Sequence, residues 1–149
     1  PAFSGLGAPW WRDDIYASIS GMSRTTGREE IVKAGCECIA YQINDVIDAM
    51  RKDSKIDISQ MCVDGGPTRN KYLMQFQSDI SQTEVKIPDA EELSVIGAGY
   101  LAGESAGYYD PDDIYKAITY NFFETKMQEQ ERSEKVHGWN EAVEMLLKK

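Results

Sequence analysis

The sequence predicts an α/β domain, because short strand-like runs alternate with longer segments whose apolar residues recur at helical spacing. The chain has 149 residues, of which 42% are hydrophobic and 28% charged, and this composition is typical of a folded domain with its own core. A third observation is the junction VDGGPTRN, where a strand-like run meets two glycines and a helical pattern begins directly afterwards. Strand–helix order of this kind favours some parallel pairing.

The first third of the chain predicts a loop, a short strand and one long helix. The segment YASISGM, residues 16–22, alternates enough for a strand and contains Gly21 near its end. Thr26 and Glu29 have the spacing of a capping box. Apolar residues then recur at helical spacing for about two dozen residues, which predicts a helix roughly 35 Å long.

The middle of the chain predicts two further strand–helix units. QMCVD, residues 60–64, has the pattern of a short buried strand, and the NKYLMQFQSDI segment that follows has the pattern of a helix. TEVKIP, residues 83–88, alternates as a strand that Pro88 stops. The next helix, in residues 92–109, has glycines at every fourth position, namely Gly99, Gly103 and Gly107. Since each costs a helix about 1 kcal/mol relative to alanine, we expect this face to admit another backbone closely.

The end of the chain predicts surface helices. Asp110-Pro111 is a favourable helix start, and an apolar stripe follows it. That stripe consists of Ile114, Ala117 and Ile118. The charged tail predicts one or two more helices, docked by apolar residues near its end. These are Trp139, Val143, Leu146 and Leu147.

We divide the chain into an entry loop (1–14), an α/β core (15–109) and C-terminal helices (110–149). Three strands are few for three or four covering helices, and the Gly/Pro/aromatic opening PAFSGLGAPWW is unusual for a natural start. We therefore expect the chain to be part of a longer protein that has further strands.

Charge and cysteine content narrow the functional classes. The chain carries 25 acidic against 16 basic residues, a net charge of −9, which disfavours nucleic acid as a partner. It has no apolar run near the roughly 18 residues of a membrane span. Its three cysteines suit reduced thiols in a cytoplasm, and with one histidine they do not form a zinc ligand set.

The glycine junction is the candidate ligand site. In an open α/β sheet, ligands gather at the carboxyl ends of strands, where VDGGPTRN lies. Gly65 and Gly66 can take positive φ and have no Cβ, so that a ligand can touch the main chain. The next helix turn presents free N–H groups, and the side-chain amide of Asn70 could pair with a planar heterocycle. A structural turn that binds nothing is the alternative.

Other candidate residues have simpler interpretations. Asp64 is expected to be a loop and cap residue, and neither it nor Asp79 is assigned a catalytic role. His137 is expected at the surface of the tail. Trp10 and Trp11 could stack on a sugar, but we expect them to pack against a part of the protein outside this chain.

Five segments in order resemble the C-terminal domain of the FGGY carbohydrate kinases, and most of all the members that phosphorylate glycerol. These segments are PAFSGLGAPWW, CECIAYQINDVIDAM, VDGGPTRNKYLMQFQSDI, SVIGAGYLAGESAGYY and ERSEKVHGW. The resemblance implies the C-terminal part of an actin-like ATPase (ribonuclease H-like) domain, with a small mixed sheet flanked by helices. It also implies ATP and Mg²⁺ in a cleft between two such domains, and transfer of the γ-phosphoryl group to a hydroxyl of glycerol or a related sugar.

The same resemblance places Gly66 beside the nucleotide, Gly65 next to it, and Asn70 at the adenine end. The catalytic base and the contacts to the polyol or sugar belong to segments outside this chain, so no catalytic or metal-binding residue is assigned and the isolated chain is expected to be inactive. A homo-oligomer is possible. The rival hypotheses are an actin-like ATPase of another function and a non-enzymatic interaction domain on the same scaffold.

Overall fold

The computed structural model describes residues 2–90, 93–108, 110 and 118–148. In chain order the elements are α1 (Arg28–Ser54), β1 (Gln60–Cys62), a short 3₁₀ helix (Gly66–Arg69), α2 (Lys71–Ser81), β2 (Glu84–Pro88), α3 (Leu93–Ser105), β3 (Tyr120–Phe123) and α4 (Glu129–Leu147). Among the described residues, no helix combines the length and the apolar character that a membrane span needs.

The sheet has three strands in the order β1-β2-β3. β1 runs parallel to β2, with Met61 opposite Val85, and β3 runs antiparallel to β2, with Phe123 opposite Val85. Val85 in the central strand is fully buried. The expected α/β class with a small mixed sheet flanked by helices is therefore confirmed.

The long helix is confirmed, and its start differs from the prediction by one residue. α1 has 27 residues, which is about 40 Å of helix. The carboxylate of Glu30 accepts the backbone N–H of Gly27 at 2.8 Å, so these two residues make the capping interaction predicted for Thr26 and Glu29. Thr26 lies in the preceding turn, where its hydroxyl accepts the N–H of Ser23 at 2.8 Å.

Two strand assignments need correction. Residues 16–22 do not form a strand, and they are exposed. Nothing in the described part of the chain pairs with them, and a strand needs ladder hydrogen bonds from a neighbour. Conversely, β3 lies in the region predicted to be C-terminal helices. The helix predicted to begin at Asp110-Pro111 falls largely on residues 111–117, outside the described residues.

Among the residues that the structure describes, no other backbone approaches the glycine face of α3 at Gly99. A Cβ added there would meet nothing within 4 Å, and Gly103 is the one buried residue among the described residues of this helix. Gly107 follows the helix with φ of +74°. The N–H of Tyr108 donates to the carbonyl of Gly103 at 2.8 Å, so Gly107 serves the end of the helix.

Two apolar clusters hold the described elements together. The larger one joins α1, α2 and β2, and its buried members are Ala40, Leu73, Met74, Phe76, Ile80 and Val85. The smaller one joins the first 15 residues to α4, and its buried members are Ala2, Leu6, Ile15 and Val143. The tail is one helix, α4, and the predicted docking residues Trp139, Val143, Leu146 and Leu147 do belong to this smaller cluster.

Candidate functional site

The glycine loop connects β1 to α2 and is exposed along Asp64–Pro67. The sheet ladder continues just beyond β1, because the N–H of Val63 donates to the carbonyl of Lys86 at 3.0 Å. Gly65 then has φ of 96° and ψ of 175°, a conformation that L-residues rarely adopt. Of the two glycines that can take positive φ, Gly65 does so, and Gly66 begins the 3₁₀ helix with an ordinary φ.

Gly66 is not required by the packing of the chain itself. A Cβ built on this residue would find nothing within 4 Å, whereas one on Gly65 would meet only Cδ of Pro67, at 3.9 Å. The absence of a side chain at Gly66 therefore leaves open space over the main chain. Such space is what a ligand needs to approach the backbone.

Hydrogen bonds within the loop fix its shape. The N–H and the hydroxyl of Thr68 both donate to the carbonyl of Gly65, at 3.0 and 2.7 Å. The N–H of Asn70 donates to the carbonyl of Pro67 at 3.0 Å. The 3₁₀ turn that results gives Gly66 and Asn70 a defined separation, so the three predicted site residues lie in one ordered loop.

Asn70 is the N-cap of α2, a role that the sequence analysis missed. Its Oδ1 accepts the N–H of Leu73 at 3.2 Å, and its carbonyl accepts the N–H of Met74 at 3.1 Å. Asparagine is among the residues preferred at this position, which was the available signal. The cap occupies Oδ1, so Nδ2 is the side-chain group that lies outside the cap and has hydrogens to donate to a ligand.

The first turn of α2 presents an electropositive end to the loop. It contains no acidic residue, and it begins with Lys71. The dipole of a helix places about half a positive charge at its N-terminus, which favours anionic groups such as phosphate.

Tyr72 in this first turn is linked to α1. Its hydroxyl donates to the carboxylate of Glu37, and Lys33 lies 3.7 Å from the same carboxylate oxygen. Burial is the main cause that raises the pKa of Tyr72, followed by its hydrogen bond to Glu37. Tyr72 and Glu37 are 35 residues apart, so no sequence pattern pointed to this contact.

The structure gives the other candidate residues no catalytic role. Asp64 lies in the loop but does not cap α2, because Asn70 does. Asp79 is buried, and it accepts the N–H groups of Lys126 and Met127 at 2.6 and 3.0 Å. That carboxylate therefore holds the segment that follows β3. His137 is exposed and lies 3.4 Å from Glu141, as expected for a surface residue.

Trp10 and Trp11, which are neighbours in the sequence, have different surroundings in the structure. Trp10 donates its indole N–H to Asp45 of α1 at 3.2 Å, and Trp139 of α4 donates to the same carboxylate at 2.9 Å. Burial raises the pKa of Asp45, while the two indole donors favour its charged form. Trp10 therefore packs within this chain, contrary to the expectation, and Trp11 is exposed.

The three cysteines are free thiols. Among the residues that the structure describes, no group of three or more His, Cys, Asp or Glu side chains is arranged to hold a metal ion.

Comparison with solved structures defines the class of the fold. The chain aligns with the crystal structure of Plasmodium falciparum glycerol kinase with ADP at a TM-score of 0.88 and 41% identity, covering 99% of this chain and 30% of that one. The domain is therefore the C-terminal part of an actin-like ATPase fold, as expected.

Sequence comparison identifies the family. A model of the FGGY carbohydrate kinases, C-terminal domain, matches residues 1–106, and the chain belongs to this family. It is similar to glycerol kinase of Natranaerobius thermophilus, with 47% identity over 99% of this chain and 30% of the relative. Glycerol kinase of Shewanella halifaxensis is 43% identical over 96% of this chain and 29% of that relative. The chain thus spans somewhat under a third of the length of these relatives.

Proposed function

We propose that this chain forms one side of the nucleotide site of an ATP-dependent carbohydrate kinase, which transfers the γ-phosphoryl group of ATP to a hydroxyl of glycerol or a related polyol. The observation that carries the proposal is the loop from Asp64 to Asn70, with an open backbone at Gly66 and a helix N-terminus behind it. Family membership and the ADP of the Plasmodium structure support it.

Each part of the loop has a role in this proposal. Gly65 turns the chain, and Gly66 presents bare main chain to the phosphate or ribose of the nucleotide. The N-terminus of α2 adds a favourable field for the phosphates. Nδ2 of Asn70 donates to the adenine, while Oδ1 of the same side chain keeps the helix capped.

The groups that complete the reaction lie outside this chain in the proposal. Phosphoryl transfer depends on positioning and on charge stabilisation, for which a base, a phosphate-gripping loop and the acceptor contacts are needed. The described residues also offer no ligand set for the Mg²⁺ that the resemblance implies, so no step is assigned to the metal here. A cytoplasmic location is part of the same proposal, and free thiols support it.

The proposal is tested in a chimeric kinase, in which this chain replaces the matching 30% of the Natranaerobius thermophilus glycerol kinase. Gly66→Val fills the open space above the backbone. We expect it to raise the KM for ATP about tenfold or more and to change the KM for glycerol little, because only the nucleotide approaches this residue.

Gly97→Val is the matched control, since a Cβ at Gly97 also meets nothing within 4 Å but belongs to α3 and not to the loop. It should leave both KM values unchanged. The 149-residue chain alone should not phosphorylate glycerol. Equal changes in both KM values with Gly66→Val would show that the loop is not a nucleotide contact.

A further inference from the structure

Tyr72 occupies a distinctive place beside the proposed nucleotide loop. It lies in the first turn of α2, two residues after the cap residue Asn70, and its side chain reaches across to α1. The ring lies nearly parallel to that of Phe76, with centroids 6.0 Å apart, and Phe76 in turn meets Tyr41 of α1 edge-on at 5.4 Å. The Tyr72 ring therefore packs on its own helix, and its hydroxyl makes the contact with α1.

The acceptor of this hydroxyl is a largely buried carboxylate. The side chain of Glu37 is only 15% exposed, and its cationic neighbour Lys33 is 58% exposed at 3.7 Å. A carboxylate removed from water depends on its hydrogen bonds, and a bond to an ionised acceptor is roughly twice as strong as one between neutral groups. Tyr72 itself is 45% exposed, and its hydroxyl links α2 directly to a carboxylate of α1.

Two hydrogen bonds join the end of the loop to the first turn of α2. Asn70 is tied to this turn twice, by Oδ1 to the N–H of Leu73 and by its carbonyl to the N–H of Met74. The turn also includes Tyr72. An interaction that fixes Tyr72 against α1, such as its hydrogen bond to Glu37, therefore also fixes the position and the direction of the Asn70 amide.

We infer that the hydrogen bond from Tyr72 to Glu37 positions the Asn70 side of the nucleotide loop, so that Tyr72 and Glu37 are positioning residues for the base end of the nucleotide. This inference rests on the proposed function of the loop. Neither side chain is assigned a contact with the nucleotide itself.

The test uses Tyr72→Phe in the chimeric kinase, which removes the hydroxyl and keeps the ring. The KM for ATP should rise about fivefold, in the range of typical coupling between sites, while kcat and the KM for glycerol stay within twofold. Glu37→Ala should give the same rise, and the double variant should be no worse than either single variant. Glu37→Gln, which keeps an acceptor oxygen, should restore most of the affinity.

Tyr108→Phe is the matched control, because Tyr108 is 80% exposed and lies beyond the end of α3. It should change nothing. Thermal unfolding of each variant separates positioning from stability. A lower melting temperature with unchanged KM for ATP would overturn the inference.

Tyr72→Leu distinguishes the contribution of the ring from that of the hydroxyl. If Tyr72→Phe matches the parent and Tyr72→Leu raises the KM for ATP, the ring and not the hydrogen bond to Glu37 is what matters, and the inference is wrong. If Gly66→Val raises the KM for ATP and neither Tyr72 variant does, the inference fails while the proposed function stands. If none of the three variants changes it, both fail.

Discussion

At the scale of single residues, Asn70 combines a structural and a proposed functional role through different atoms. Oδ1 caps α2, and Nδ2 is the donor that we propose for the adenine. Substitutions can separate the two roles, because aspartate is as good an N-cap as asparagine but has no amide hydrogens.

We predict that Asn70→Ala lowers the free energy of unfolding by about 1 kcal/mol, whereas Asn70→Asp leaves it within about 0.5 kcal/mol of the parent. Both variants should bind ADP at least several-fold more weakly, the aspartate also because it places a negative charge beside the nucleotide. Urea unfolding and calorimetric titration of ADP into the chimeric kinase measure the two effects. If Asn70→Asp bound ADP like the parent, Nδ2 would not be a nucleotide contact.

Sequence patterns located these residues but did not assign their conformations. Two adjacent glycines are compatible with positive φ at either position, and the structure uses it only at Gly65. The cap at Asn70 could have been read from the residue type alone. The link from Tyr72 to Glu37 could not, because it depends on how two helices pack.

At the scale of elements, Arg51 joins the end of α1 to the starts of β1 and β2. Its guanidinium donates to the carbonyls of Ile58 and Ser81 and to the hydroxyl of Thr83, each at 2.8 Å. The side chain is 21% exposed. The carbonyls of Ile58 and Ser81 lie in the connections that lead into β1 and β2. Arg51 therefore helps to fix where the two strands begin.

We predict that Arg51→Met lowers the free energy of unfolding by about 2–4 kcal/mol, because it removes three hydrogen bonds from part-buried acceptors. It leaves the Thr83 hydroxyl to serve the carbonyls of Ser81 and Ile58. Lys52→Met is the control, since Lys52 is the exposed neighbour on the same helix, and it should change stability by less than about 0.5 kcal/mol. Urea unfolding of the chimeric kinase measures both. Similar values for the two variants would show that the Arg51 hydrogen bonds contribute little.

Strands were harder to predict than helices for a physical reason. The long periodicity of α1 and the apolar face of α2 are properties of each segment by itself. A strand also needs a neighbour: β3 is only four residues, YNFF, and it exists because β2 offers an edge. Residues 16–22 have a suitable alternation, but the described chain gives them no partner.

At the scale of the whole molecule, α1 and the β1 edge of the sheet both present surface that the described chain leaves uncovered. Its face toward α2 is buried at Ala40 and Asn44. Another face carries exposed apolar residues at helical spacing, namely Val32, Ile39, Ile43 and Met50. β1 pairs only with β2 among the described strands. In the longer kinase that we propose, we expect further parts of the protein to cover this stripe and a further strand to pair with β1.

The central claim is that a nucleotide lies on the loop between β1 and α2, and a crystal structure of the chimeric kinase with ADP tests it most directly. We predict that ADP lies against the main chain of Gly65 and Gly66, with Nδ2 of Asn70 within about 3.2 Å of an acceptor on the base. A structure in which protein atoms fill the space over Gly66 and ADP binds elsewhere would contradict the claim.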